Sequence, residues 1–140
     1  MLRVVLDVNV LVSALLSPAG TPARLLRAWR AARFELVVSP ALLAELTRTL
    51  AYPKLAARVT PEQATAFIAW LAGDAHLVAD PETPAPIVSP DPLDAYLLAL
   101  AASQRAMLVT GDVALADLGR TFPVRTPATL LTLLGEDDGK

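Results

Sequence analysis

Leu2-Arg3-Val4-Val5-Leu6-Asp7-Val8-Asn9-Val10-Leu11-Val12-Ser13-Ala14-Leu15-Leu16 reads as a strand, an acid and a helix in direct succession. Leu2 to Leu6 is a short apolar run with the β-branched pattern of a buried strand, and the apolar run continues as a helix over Val8 to Leu16. Asp7 therefore falls just past a strand's carboxyl end. The pattern repeats along the chain. Further strands are expected at Phe34 to Val38, Ala75 to Val78, Ala106 to Thr110 and, more weakly patterned, Pro123 to Arg125. Helices are expected at Pro22 to Arg33, Pro40 to Tyr52, Pro61 to Leu71, Pro92 to Arg105, Val113 to Leu118 and Pro127 to Leu134. Four of them open on Thr21-Pro22, Ser39-Pro40, Thr60-Pro61 and Thr126-Pro127, each a hydroxyl N-cap followed by a proline at the first helical position, where the missing N–H costs nothing. Gln63 adds a capping box to Thr60, and Gly73 and Gly135 are expected to stop the helices they follow.

Strands that alternate with helices fold as a three-layer α/β/α sandwich with a mainly parallel central sheet, because each crossover between parallel strands lays a helix on one face. In such sheets ligands bind at the carboxyl ends of the strands, and Asp7 and Asp112 both follow strand ends. At 140 residues the chain is expected to form one domain over residues 1–135, with Glu136 to Lys140 a solvated tail. Asp80 to Asp91 carries Pro81, Pro84, Pro86 and Pro90 and reads as a stiff extended connection, too short for a domain linker.

Hydrophobic residues make up 54% of the chain and charged residues 19%, which excludes disorder for its body. There is no run of about 18 uncharged apolar residues and no basic signal-peptide start, so a cytoplasmic protein with no membrane partner is expected. The absence of cysteine and the single His76 exclude disulfides, thiolate zinc sites, cysteine nucleophiles and sites built on several imidazoles. Any metal must be held by oxygen, which favours Mg²⁺ or Mn²⁺. The glycine signatures of dinucleotide sites, phosphate-binding loops and nucleophile elbows are missing too. Residues 1–60 carry 8 Lys/Arg against 3 Asp/Glu, whereas residues 61–140 carry 4 against 11, an asymmetry suited to a metal enzyme acting on a polyanion.

Four carboxylates occupy positions that such a sheet would gather: Asp7, Glu45 inside a helix, Asp94 opening another, and Asp112 after a second apolar run. At about 5 Å and an effective dielectric near 20, two carboxylates repel by roughly 3 kcal/mol. A cluster of four therefore needs a cation or bound protons at neutral pH, and a divalent ion also acidifies water for attack on phosphorus. Asn9 orients a ligand or water, or caps the following helix. Thr110 hydrogen-bonds at the site or simply ends a strand, and Asp91 supports the ligands or caps its helix. Arg24, Arg27 and Arg30 share one face of the Pro22 to Arg33 helix, opposite Leu25 and Trp29, and either contact phosphates or form an ordinary solvated face. Trp29, Trp70 and His76 are expected to be structural.

The stretch Val4 to Leu15 resembles the opening of a PIN-domain nuclease, in particular the subgroup acting as toxins of bacterial toxin–antitoxin pairs. In that family an Asp ends the first strand with a Thr, Ser or Asn two residues on, as Asp7 and Asn9 do here. The family's helical Glu is matched by Glu45 in Ser39-Pro40-Ala41-Leu42-Leu43-Ala44-Glu45-Leu46, and its fourth acid by Asp112 in Leu108-Val109-Thr110-Gly111-Asp112. Its third acid opens a helix in a D-x-D-D-like run, similar to Asp91-Pro92-Leu93-Asp94 with Leu93 in place of the middle acid. The resemblance covers roughly residues 2–134. It implies a Mg²⁺- or Mn²⁺-dependent endoribonuclease in which Asp7, Glu45, Asp94 and Asp112 hold the metal, with RNA as substrate, a small antitoxin as partner and a homodimer as assembly. Two other classes remain open: a non-catalytic PIN-like module binding RNA or protein, and a phosphatase-like α/β hydrolase using a single metal.

Overall fold

In the computed structural model, residues 1–83, 95–112, 119 and 122–135 are described. Strand β1 (Arg3–Leu6) runs into helix α1 (Val8–Leu16) with only Asp7 between them. There follow α2 (Thr21–Arg30), β2 (Glu35–Val38), α3 (Pro40–Leu50), α4 (Pro53–Ala56), α5 (Pro61–Asp74), β3 (His76–Leu77), α6 (Ala95–Gln104), β4 (Met107–Val109), β5 (Val124–Arg125) and α7 (Pro127–Leu133). The helix expected over Val113 to Leu118, the acids Asp91 and Asp94, and the tail from Glu136 lie outside the described residues.

The strands form one parallel sheet in the order β3-β2-β1-β4-β5. Central β1 pairs on both sides, with Val4 opposite Leu36 of β2 and Met107 of β4. Steps from β1 to β2 to β3 go one way across the sheet, and those from β3 to β4 to β5 go the other. With right-handed crossovers the connecting helices then fall on opposite faces. Packing agrees: α1 lies against α2 and α3, α3 against α5, α7 against α2, and α6 against β1 and β4. This is the expected three-layer α/β/α arrangement. The strand order reverses between β1 and β4, so a crevice opens at their carboxyl ends.

Both faces of the sheet are covered, and its strands are accordingly continuous apolar runs and not alternating ones. Val4, Val5 and Leu6 of β1, Leu36 to Val38 of β2, and Leu108 and Val109 of β4 are all buried, with Leu11, Leu25, Leu42, Leu46, Leu71, Leu97, Leu98 and Leu100 packed on them from the helices. Trp29 and Trp70 lie at the edge of this core, tilted at 46° with ring centroids 5.0 Å apart. His76 is exposed on edge strand β3. Among the described residues no helix is long and apolar enough to cross a membrane.

Local departures from the expected elements have local causes. Ser39, Thr60 and Thr126 cap α3, α5 and α7 through their hydroxyls, and Gln63 closes the capping box of α5. Thr21 instead enters α2 as a helical residue, and Gly20 is the N-cap. Helix α2 stops at Arg30, not Arg33, because Ala32 takes a left-handed conformation (φ 61°) and the N–H groups of Ala32 and Arg33 donate back to Trp29 and Ala28. That is a Schellman closure without the usual glycine. Arg105 (φ 52°) closes α6 in the same way. Gly73 does not stop α5, which continues to Asp74, whereas Gly135 (φ 80°) follows α7 as expected.

Candidate active site

Asp7 is the N-cap of α1 and is only 6% exposed. Its backbone N–H donates to the Val109 carbonyl at 2.9 Å, so the end of β1 is fastened to the end of β4. Its Oδ1 accepts the Asn9 N–H at a long 3.5 Å. The cap expected from Asn9 is therefore supplied by Asp7. Thr110, fully buried, donates its hydroxyl to Asp7 Oδ2 at 2.7 Å and accepts the Asp112 N–H at 3.0 Å. One side chain thus joins two strand-end acids. Burial pushes the Asp7 carboxyl above its ordinary pKa and Asp112 adds to the rise, while the hydrogen bonds from Thr110 and from the Asn9 and Val8 backbone oppose it. Among the described residues none of these influences is a cation. Asp112 itself is exposed, and with Asn9, Val10, Ser13, Gly111, Pro22 at the start of α2 and Pro127 at the start of α7 it lines a groove.

Glu45 sits half-buried on α3, and its Oε2 accepts from Arg48 Nε at 3.0 Å and Nη2 at 2.6 Å. An exposed pair at this i, i+3 spacing contributes only about 0.3–0.5 kcal/mol. The start of α3 is held more firmly. Pro40 brings no N–H, Leu42 donates to Ser39 Oγ at 3.3 Å, and Ala41 donates to Asp80 Oδ2 at 2.9 Å, so the donors of the first turn are satisfied. Asp80 comes three residues after β3, as Asp112 comes three residues after β4. A strand-end search would have found it, but the prolines after it made it read as the start of a connection. Its Oδ1 is buried without a hydrogen-bond partner.

Asp7, Thr110 and Asp112 are thus gathered at the crevice between β1 and β4, whereas Glu45 is engaged with Arg48. Among the described residues no three acid or histidine side chains approach closely enough to hold an ion. The PIN-domain family model matches residues 3–114 of this architecture. The chain belongs to the PIN-domain family. PIN domains are generally nucleases. Among solved structures, the chain is similar to VapBC2 from Rickettsia felis bound to a DNA fragment from their promoter, with a TM-score of 0.61 and 15% identity over 89% of this chain and 98% of that one. It is also similar to PAE2754 from Pyrobaculum aerophilum, with a TM-score of 0.57 and 20% identity over 96% of this chain and 90% of that one. At such identities the likeness establishes the fold. No curated protein sequence matches the chain.

In this PIN domain the arginine stripe leads away from the gathered acids. Helix α2 begins at the groove, where Pro22 lies beside Asp112, and extends about 15 Å over its ten residues. Arg24 is near that start and half-buried, and Arg27 is exposed and donates to the Pro18 carbonyl at 3.0 Å. Arg30 lies at the far end, in a cavity lined by Trp29, Trp70 and Asp74. Trp29 and Asp74 also line a cavity with Glu35 and His76, at the amino ends of β2 and β3. The three arginines therefore do not form one surface around the acids.

Proposed function

We propose that this PIN domain is a divalent-metal-dependent endoribonuclease, the toxin of a toxin–antitoxin pair, acting on RNA in the cytoplasm. The observation that carries this is the pair of strand-end acids, Asp7 and Asp112, joined through Thr110 at the point where the strand order reverses. An oxygen-only donor set suits Mg²⁺ or Mn²⁺. A buried carboxylate with no cation acting on it among the described residues, driven toward its neutral form by burial and by a second acid, is one that a divalent ion would relieve. In this proposal Asp7, Glu45, Asp94 and Asp112 would hold the ion; the Arg48 pair that Glu45 would give up contributes little. The ion supplies Lewis acidity toward phosphoryl oxygens and acidifies water.

The chain's own residues do the positioning. Thr110 orients Oδ2 of Asp7 and holds the backbone of Asp112, so the Asp7 carboxylate and the main chain that carries Asp112 stand preorganised. The buried apolar ends of β1 and β4 exclude water from one side of Asp7. RNA would lie along the groove past Asn9, Ser13 and Gly111, where Arg24 is the arginine of the stripe best placed to meet a phosphate. Asp91 would act behind the ligands. The likeness to VapBC2 supports an antitoxin partner; that this partner is small and covers the site, and that the chain forms a homodimer, rest on the sequence resemblance to the toxin subgroup.

The test is cleavage of single-stranded RNA with and without Mn²⁺, comparing the natural chain with Asp7→Asn. Cleavage that requires Mn²⁺ and disappears in the variant supports the proposal. Cleavage that survives EDTA sinks the metal mechanism, and no Mn²⁺ response of any kind would favour a non-catalytic binding module.

A further inference from the structure

Asp80 belongs to none of the acids that the family resemblance picks out, yet it is built into the carboxyl edge of the sheet. Beyond β3 the Val78 N–H donates to the Val38 carbonyl at 2.9 Å, which extends the β2–β3 ladder to the residue before the Ser39 cap. Two residues later Asp80 Oδ2 accepts the Ala41 N–H at 2.9 Å, across 39 positions of sequence. The segment after β3 is thus tied twice to the junction of β2 and α3. Asp80 Oδ1 is closed off from solvent and no donor among the described residues bonds to it, so the Ala41 bond is what fixes the direction of the carboxylate there. A negative group at a helix N-terminus is also favoured by the helix dipole. Ala41 and Glu45 are i and i+4, one above the other on the same face of α3.

We propose that Asp80 is a positioning residue for the metal site: its carboxylate clamps the first turn of α3 to the end of β3 and thereby sets where Glu45 stands. This rests on the metal-site function proposed above. Ser39 holds the same turn through Leu42, but Ser39 is part of the chain entering α3 and turns with it. Asp80 is the external reference. Its loss leaves α3 capped and helical while freeing the start of the helix to shift against the sheet, and a misplacement of about 1 Å at a reacting centre costs roughly 100-fold in rate.

The experiment compares Asp80→Ala and Asp80→Asn, each alone and combined with Glu45→Gln, by Mn²⁺ titration calorimetry, thermal melting in EDTA and Mn²⁺-dependent RNA cleavage. Asp80→Ala is expected to weaken Mn²⁺ binding about tenfold, the low end of the loss seen when a group behind a metal ligand is removed, and to lower kcat with KM unchanged. Asp80→Asn keeps an oxygen that accepts from Ala41 and should restore Mn²⁺ affinity to within about twofold. In the Glu45→Gln background Asp80→Ala should add almost nothing, because both changes act through one ligand. Should Asp80→Ala not fold, Asp80→Ser, too short to reach Ala41, carries the same comparison. A lower melting point with unchanged Mn²⁺ affinity, or full multiplicative effects in the double variant, overturns the clamp and leaves the metal site standing. A natural chain that binds no Mn²⁺ removes the metal-site function and the clamp with it.

Discussion

Replacing Asp7 with asparagine separates the cost of its buried charge from its use. Thr110 links the two acids by bonds of 2.7 and 3.0 Å, which keeps the Asp112 amide within about 6 Å of Asp7 Oδ2. With the charges about 7 Å apart and an effective dielectric near 20, their repulsion is roughly 2 kcal/mol. Solvent screening at exposed Asp112 trims it to about 1–2 kcal/mol. Against that gain, asparagine offers one acceptor oxygen where aspartate offers two. The bond most readily given up is the 3.5 Å contact from Asn9, so the loss is under about 1 kcal/mol. In EDTA at neutral pH, Asp7→Asn should therefore melt about 3 °C above the natural chain, a shift of roughly 1 kcal/mol for a domain of this size. Mn²⁺ at a hundred times its dissociation constant should stabilise the natural chain by about 2.7 kcal/mol, or about 8 °C, and Asp7→Asn by less than half of that. The pH dependence has a definite sign. Because burial raises the Asp7 pKa, the folded state holds that proton more tightly than the unfolded chain does. The contribution of Asp7 to metal-free stability is then fully present below the ordinary aspartate value and is lost as pH rises through the raised one. Asp7→Asn should lack that fall. Melting curves from pH 4 to 8, in EDTA and in Mn²⁺, provide the assay. Equal Mn²⁺ gains in both proteins, or a natural chain that loses no metal-free stability relative to Asp7→Asn as pH rises over that window, refute the reasoning.

The remaining expectations are simpler. Thr110→Val keeps the shape but leaves Asp7 Oδ2 and the Asp112 N–H without their partner, which should cost about 1–3 kcal/mol of stability and weaken Mn²⁺ binding; unchanged values in both would remove Thr110 from the site. Asp112→Asn should abolish Mn²⁺-dependent RNA cleavage while the circular dichroism spectrum stays that of the natural chain, since the residue is exposed. Ala32→Gly should raise stability by about 0.5–1 kcal/mol, because the left-handed conformation at φ 61° suits glycine; a destabilised variant would show that the alanine methyl packs usefully. Changing Arg24, Arg27 and Arg30 together to Gln should reduce the salt dependence of RNA binding by about 0.7 in log–log slope for each phosphate no longer neutralised. Arg24→Gln should account for most of the change, and an equal share from Arg30→Gln would contradict the placement of α2.

Features decided within a few residues were legible in the chain. The hydroxyl caps at Ser39, Thr60 and Thr126 bond to N–H groups three residues ahead, so spacing alone reveals them. The apolar runs of β1, β2 and β4 announce parallel strands buried on both faces, and the acids that follow β1 and β4 could be named from their positions. The Schellman closures at Ala32 and Arg105 were not legible, because the left-handed residue is not the glycine that marks such an end in a sequence. Whether Glu45 and Asp94 join the other two acids is not decided by periodicity, which gives a helical face but not its distance from a strand end.

Sequence by itself determined the succession of strands and helices, the parallel α/β class, the exclusion of cysteine chemistry and of sites built on several imidazoles, and the strand-end positions of Asp7 and Asp112. Tertiary structure alone decided that β1 lies between β2 and β4, that Thr110 reaches Asp7 across 103 residues, and that Asp80 caps α3 from the neighbouring strand. The physical reason is range. Caps and periodicities express bonds a chain makes with itself over one helical turn, whereas strand order and cross-strand hydrogen bonds exist only after crossovers have been chosen and the core has closed around them.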